Sequence, residues 1–465
     1  MAVPEAAPLK AALSQSHVRR LSGFGRNRFA DGYLYQPEST EDAAELLETA
    51  RRSGRRIVLR GSGRSYGDAA IAAEQIVLDI RRMNRVLSWD PASGLIDAEA
   101  GATLGDLWRH TIADGYWLPV VSGTMAPTLA GALAMNIHGK NSFKAGTLGE
   151  HVAEMEIVTT RGETRTLEQE DPDFRRIISG AGLLAVITRV RLRMARVPSG
   201  DLLVTARSCR GWDEQFACFD SGGSPDYMVS WVDCFSNGRG LFHSALYDPD
   251  GRPPKREGQE LPLKIMGAVP KDQVWRLLRL VNNRRGMRAV NTAKYLAGRR
   301  EDGKTTRQSL SEFSFLLDYV PGWELAYQPF GFIQYQSFVP KDRAQEVFAR
   351  QVEMARRERM ESFLAVLKRH RPDDFMFSHG VDGYSLALDF KLTERARLWA
   401  LCHRMNELVL EGGGRFYFAK DSTLRPADVQ AYLGEKRLNE YREAKARLDP
   451  DGLLTSALAE RCGLT

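Results

Sequence analysis

The chain has few cysteines and no pattern among them. The five, Cys209, Cys218, Cys234, Cys402 and Cys462, form no CxxC pair and are odd in number, so neither a disulfide framework nor a zinc site is indicated. The eight histidines show no HExxH or related spacing, which argues against a metal enzyme. Long, strongly hydrophobic runs are also missing. Residues 115–137 carry no charge over 23 positions, long enough to span a bilayer, but they include Pro119, Pro127, three glycines, several hydroxyls and Asn136. A transmembrane helix is therefore not expected. The N-terminal stretch shows no cleavable signal pattern, so the expected location is cytoplasmic. No nucleic-acid reader motif appears, and nucleic acid is not an expected partner.

What is present is the balance of a soluble globular protein, 43% hydrophobic and 27% charged over 465 residues, long enough for two or three domains. The net charge of +6 is concentrated. Residues 282–307 hold eight Lys/Arg against two Asp/Glu and so contribute +6 alone. Such a run is commonly a solvated loop; its alternative is a contact for phosphate or an anionic membrane surface.

The first third interleaves helices and strands. PESTEDAAELLETARRSG reads as a helix capped by Ser39 or Thr40 and ended by Gly54, and ATLGDLWRHTIADG as another ending near Gly115. RVLSW and GLIDAEAG read as a hairpin. AVITRVRLRM alternates apolar residues with arginines, the pattern of a half-buried strand near a sheet edge or exposed face. ARVPSGD then looks like a domain boundary. Beyond it, DYMVSWVDCF, GFIQYQSFV and YSLALDF are strand-like, and helical patterns follow Glu346 and Thr393.

Four stretches could carry chemistry. Arg60, Gly61, Ser62, Gly63, Arg64, Ser65, Tyr66, Gly67 and Asp68 form a glycine-rich turn after a short apolar strand. Its backbone can approach a pyrophosphate closely, or it can be an ordinary strand-end turn. GAGLLA, residues 180–185, matches a dinucleotide fingerprint by letters but precedes a strand and opens no helix, so that hypothesis fails. Gly123, Thr124 and the run Thr128, Leu129, Ala130, Gly131 combine small side chains and hydroxyls, suited to a flat ring and its phosphate tail, and lead into His138. Read alone, that histidine is a core residue. Lys420, after the apolar run in GGGRFYFAKDS, could stabilise a developing anion; from its segment alone it is a strand-end lysine in solvent.

Together, RGSGRSYGD, SGTMAPTLAGALAMNIHGKN, AGTLGEHV, GFIQYQ and YFAKDS, in this order, resemble the decaprenylphosphoryl-β-D-ribose oxidase family of vanillyl-alcohol-oxidase-type flavoproteins. The resemblance spans nearly the whole chain, and its most specific part is the I-H-G-K-N block. It implies an α+β fold: a PCMH-type, two-part FAD-binding domain over residues 1–196, a substrate domain over 197–411 with an antiparallel sheet covered by helices, and a C-terminal return to the FAD domain over 412–465. It implies FAD contacts along residues 60–68, at Gly123, Thr124 and residues 128–131, and from Met135, Asn136, Ile137, His138, Gly139, Lys140 and Asn141, completed by Ile187 and Tyr417. Loop 60–68 holds no histidine or cysteine and has Arg64 where many relatives in the superfamily attach FAD through a histidine, so non-covalent FAD is expected.

The implied reaction oxidises the 2′-hydroxyl of a polyprenyl-phosphoryl ribose to a ketone, which a separate NADH-dependent short-chain reductase would reduce to the arabinose epimer. Lys420, His138 and Tyr66 would be catalytic, with Lys420 beside the flavin and the substrate; Gln334, Gln336, Lys368 and Asp389 would join it in the substrate pocket. Segment 282–307 would hold the lipid phosphate or dock on the inner membrane as a mobile loop. Two positions depart from the mycobacterial members: Ala387 stands where they have cysteine and Ser314 where they have tyrosine. An aldonolactone or alditol oxidase on the same fold is the alternative enzyme, and a non-catalytic lipid-binding protein the alternative of another class.

Overall fold

The computed structural model describes residues 13–221, 223–262, 264–265 and 269–465. The N-terminal stretch read for a signal, and with it the start of the expected FAD unit, lies mostly outside these residues. The fold is α+β, built on three principal sheets.

The first sheet runs in the order Val18–Ser22, Phe29–Tyr35, Ile76–Asp79, Ile57–Arg60, and its last three strands are parallel. IVLD and the start of IVLR are fully buried, as parallel strands covered on both faces require. The helix Thr40–Ser53 packs beside them, capped by Ser39 accepting from the Asp42 amide and closed by left-handed Gly54. The second sheet is antiparallel, in the order Val86–Asp90, Leu95–Glu99, Val186–Arg193, Val152–Val158, Thr164–Glu168. The hairpin pairs Trp89 with Ile96. Val186–Arg193 lies at the centre of this sheet and not at an edge. Its alternation arises because Val190 and Leu192 enter the core while Arg189 pairs with Asp97 and Glu154 on the outer face.

The uncharged stretch at residues 115–137 is no long helix. It gives a two-residue strand, Tyr116–Trp117, a loop and a six-residue helix, Leu129–Ala134, whose N-cap is Thr128. Among the described residues no helix is long and apolar enough to cross a membrane.

The third sheet has eight antiparallel strands: Thr305–Ser309, Asp201–Cys209, Gly240–Tyr247, Tyr227–Val232, Leu364–His370, Gly383–Lys391, Phe332–Pro340 and Arg415–Phe416. The helices Lys341–Arg357 and Arg395–Glu411 cover part of it, each burying an apolar face. Segment 282–307 is no loop; it forms the helix Arg284–Arg299, capped by Asn283, and then leads into the edge strand. After Phe416 the chain returns to the first sheet. The Tyr66 amide donates to Ala419 O at 2.7 Å, the Ile57 amide to Leu453 O at 2.7 Å, and Arg461 bridges Asp68 and Asp421, each at 2.8 Å. These contacts close the C-terminal segment onto the glycine-rich turn.

Candidate active site

A cavity of about 780 Å³ runs from the glycine-rich turn to the face of the eight-stranded sheet, within the size range of small-molecule sites. One end is walled by backbone and small side chains. Gly61 has no room for a Cβ, which would collide with Thr128 Oγ1, and Gly63 sits at a φ of +64°, a conformation that favours glycine. Thr128 Oγ1 accepts from the Gly131 amide at 3.3 Å, so the hydroxyl that lines the cavity also caps the helix behind it. Ala130, Ala134, Ala181, Gly182 and Ala185 leave this wall flat. The turn 122–126 is pinned by a residue far along the chain. Asp318 accepts from Thr124 Oγ1 at 2.6 Å and from the Met125 amide at 2.8 Å, and burial pushes its carboxyl above the usual range.

The opposite end is polar. Lys420 Nζ lies 3.5 Å from the centroid of the Tyr66 ring, whose hydroxyl is buried without a partner. Burial pushes the Lys420 ammonium well down and the Asp389 carboxyl well up, and their mutual attraction opposes both shifts. Asp389 accepts from Gln334 Nε2 at 2.5 Å and its second oxygen is unpartnered. Gln336 Nε2 stands 3.2 Å from His138 Nε2. The amide nitrogen can only donate, so the imidazole is neutral with its proton on Nδ1, which has no partner. Burial and nearby lysines hold His138 far below its ordinary pKa. Desolvation lowers Lys368 to about 8.

Of the residues singled out from sequence, all of 60–66, Gly123, Thr124, Thr128, Ala130, Gly131, Met135, Ile137, His138, Lys140, Ile187, Gln334, Gln336, Lys368, Tyr417 and Lys420 meet on the cavity wall. Seven do not. Gly67 abuts Asp421 O, and Asp68 is held in ion pairs by Arg28 and Arg461. Leu129 is core. Asn136 is occupied by Thr147 Oγ1 and the Gly149 amide, Gly139 lies against Val121, and Asn141 bonds Val121 N and Pro119 O. Asp389 stands behind Gln334. These residues hold the lining in place without forming it. Lys140 reaches the cavity wall, but its Nζ donates to Phe313 O. Ala387 lines the cavity; Ser314 is buried away from it.

Sequence reasoning missed other parts of the lining. Ala181, Gly182, Leu184 and Ala185 belong to the discarded GAGLLA match, which lines the cavity as a loop with φ of +53° at Ala181 and +72° at Gly182. The letters were the signal, and the failed helix context hid it. Asp318, Trp231 and His243 carried no local signal of a site, and Lys294 was visible only as one charge of the basic segment 282–307.

The cavity fits a flat, phosphate-bearing cofactor, because close approaches at one end need glycines, and toward the other the buried Tyr66 hydroxyl and His138 Nδ1 have no partner among the described residues. A family model described as a FAD binding domain matches residues 32–168. The fold and this cavity define a FAD-dependent oxidoreductase. The chain is 30% identical over 463 residues to a decaprenylphosphoryl-β-D-ribose oxidase of Mycolicibacterium smegmatis, covering 96% of this chain and 98% of that protein. It belongs to the decaprenylphosphoryl-β-D-ribose oxidase family. More partial likenesses are to a putative D-arabinono-1,4-lactone oxidase of Neurospora crassa, 32% identical over 38% of this chain and 32% of that one, and to an L-gulono-1,4-lactone dehydrogenase of Mycobacterium tuberculosis, 27% identical over 36% and 39%.

Proposed function

We propose that this enzyme oxidises the 2′-hydroxyl of a polyprenyl-phosphoryl-β-D-ribose to the 2′-ketone, the first half of an epimerisation completed by a separate NADH-dependent reductase. The observation that carries this reading is the continuity of one cavity from the glycine-lined wall to a lysine-bearing sheet face. Bound FAD supplies the hydride acceptor. Lys420 presents a cation over Tyr66, where it can stabilise negative charge developing at cofactor or substrate oxygen. Gln334 and Gln336 orient the sugar, their amides aimed by Asp389 and by Ser385 and His138. His138, neutral with Nε2 accepting from Gln336, supports the sugar rather than acting as a cation. Non-covalent FAD belongs to the same proposal, supported by the glycine-rich loop 60–68, which holds neither histidine nor cysteine.

Anaerobic mixing of the holoenzyme with farnesylphosphoryl-β-D-ribose is expected to bleach the visible flavin absorbance, while free arabinono- and gulono-lactones leave it unchanged. Bleaching by the lactones alone would favour the lactone-oxidase reading, to which the partial likenesses lend support. A peripheral inner-membrane position belongs to the same proposal. Leu277, Leu280 and Leu296 are exposed beside Arg276, Arg279, Arg285 and Arg299, and vesicle affinity that did not fall with salt would count against it.

A further inference from the structure

The helix Arg284–Arg299 has two faces with different surroundings. Asn291 and Tyr295 are buried, and Gly298 is pressed so closely on Leu241 that a Cβ would collide with it. This contact seats the helix on the sheet. Lys294, on the same side, reaches the cavity, where its Nζ lies 4.6 Å from the centroid of Trp231. The side chain is exposed and forms part of the cavity rim. The arginines of the segment point elsewhere: Arg284 pairs with Glu361, and Arg285 and Arg299 are exposed.

Trp231 is paired in register with Val366, and Lys368 is two residues further along that strand on the same face, on the order of 7 Å away. Lys294 and Lys368 therefore overhang one stretch of sheet. Neither makes an ion pair or a side-chain hydrogen bond among the described residues. The carboxylates on the cavity wall are Asp318, committed to Thr124 and Met125, and Glu324. Two like-charged ammonium groups that face one cavity without a counter-ion, both partly desolvated, are unfavourably placed, and an anionic ligand between them would relieve that cost. Beside them Trp231, Leu364 and Val366 form an apolar strip, and Leu316 and Leu317 line the cavity further along. A cation pair beside an apolar strip selects an amphiphilic anion.

We propose that Lys294 and Lys368 form an anion subsite that takes the phosphate of an isoprenyl-linked substrate, with Lys294 as the residue that makes this cavity select lipid phosphates over neutral sugars. The proposal deepens the lipid-ribose reading and rests on it for the identity of the sugar. The subsite leaves Lys420 free for the reacting end, and it makes the helix Arg284–Arg299 part of the substrate site.

The test uses the FAD-loaded full chain and calorimetric binding of farnesyl phosphate and farnesol. The wild type is expected to prefer the phosphate by about tenfold or more, and Lys294→Met to cut that preference by about ten- to a hundredfold with farnesol affinity unchanged. Lys294→Arg should restore most of it, and Arg299→Gln, on the outer face, should leave it intact. Retention of an unchanged alcohol-to-phosphate ratio in folded Lys294→Met overturns the proposal. If that variant does not fold, the wild type decides: its phosphate preference must weaken as pH rises past about 8, where desolvation places both lysines, and a preference constant to pH 10 overturns the subsite. Turnover of farnesylphosphoryl ribose separates this proposal from the functional one. No turnover with an intact, Lys294-dependent phosphate preference removes the 2′-oxidation reading alone. Turnover with a KM unmoved by Lys294→Met removes the subsite alone.

Discussion

Burial disfavours the charged form of both Lys420 and Asp389, the Gln334 hydrogen bond favours the Asp389 carboxylate, and the mutual attraction of the two groups offsets part of the cost to each. Lys420→Met is expected to lower kcat by about 10²- to 10³-fold while flavin remains bound, as read by single-turnover bleaching. Asp389→Asn removes the attraction that raises the lysine's pKa, so the alkaline limb of the kcat/KM profile should move to lower pH; a limb that stayed in place would dissociate the two groups. His379 is a different case. It is buried with neither ring nitrogen partnered, its ring 4.4 Å from that of Tyr417 and 4.7 Å from that of Phe338, and burial lowers it to about 3. The unfolded chain protonates this histidine below about pH 6.5 and the folded chain does not, so it costs stability as pH falls, about 2 kcal/mol at pH 5. His379→Phe should therefore gain thermal stability over the wild type on going from pH 7.5 to pH 5, measured by scanning both proteins at each pH. At this scale the sequence was readable where backbone conformation limits residue choice, as at Gly61 and Gly63. It did not show that Asp389 stands behind Gln334, or which residue of segment 282–307 reaches the cavity, because those surroundings come from strands and helices distant in the chain.

Elements were legible where signals were local. Ser39 and Gly54 bracket the first helix, Thr103 with Asp106 closes the capping box of the second, and alternation marks Phe332–Pro340 and Gly383–Lys391. The strand Val186–Arg193 read as lying near a sheet edge or exposed face; it has the exposed face but is central, because ion pairs on its outer face let arginines occupy that position. Segment 282–307 looked like a loop because its basic face was visible in the sequence and its seat on Leu241 was not. The turn 122–126 shows how one element depends on another: its geometry rests on Asp318, nearly two hundred residues away. Asp318→Ala removes two hydrogen bonds to a carboxylate. Apoprotein titrated with FAD should show affinity about tenfold weaker or worse, with turnover recovering at saturating FAD.

For the whole molecule, the C-terminal segment packs on the glycine-rich turn through Arg461 and the Tyr66 and Ile57 amides, so segments far apart in the chain line one cavity. Acid precipitation should release all flavin to the supernatant, and added FAD should raise the melting temperature of apoprotein in proportion to the logarithm of its concentration. Flavin retained in the pellet would establish a covalent link. By itself the sequence determined the α+β class, the glycine-rich turn, the small-residue seat and the order of motifs, because turns, caps and close backbone approaches restrict residue type within a few positions. The tertiary structure alone decided which of these residues line the cavity and which brace it, that a discarded glycine motif joins the wall, and that a basic helix turns one lysine inward. Those outcomes depend on sheet register and helix seating, which bring together residues that no local pattern connects.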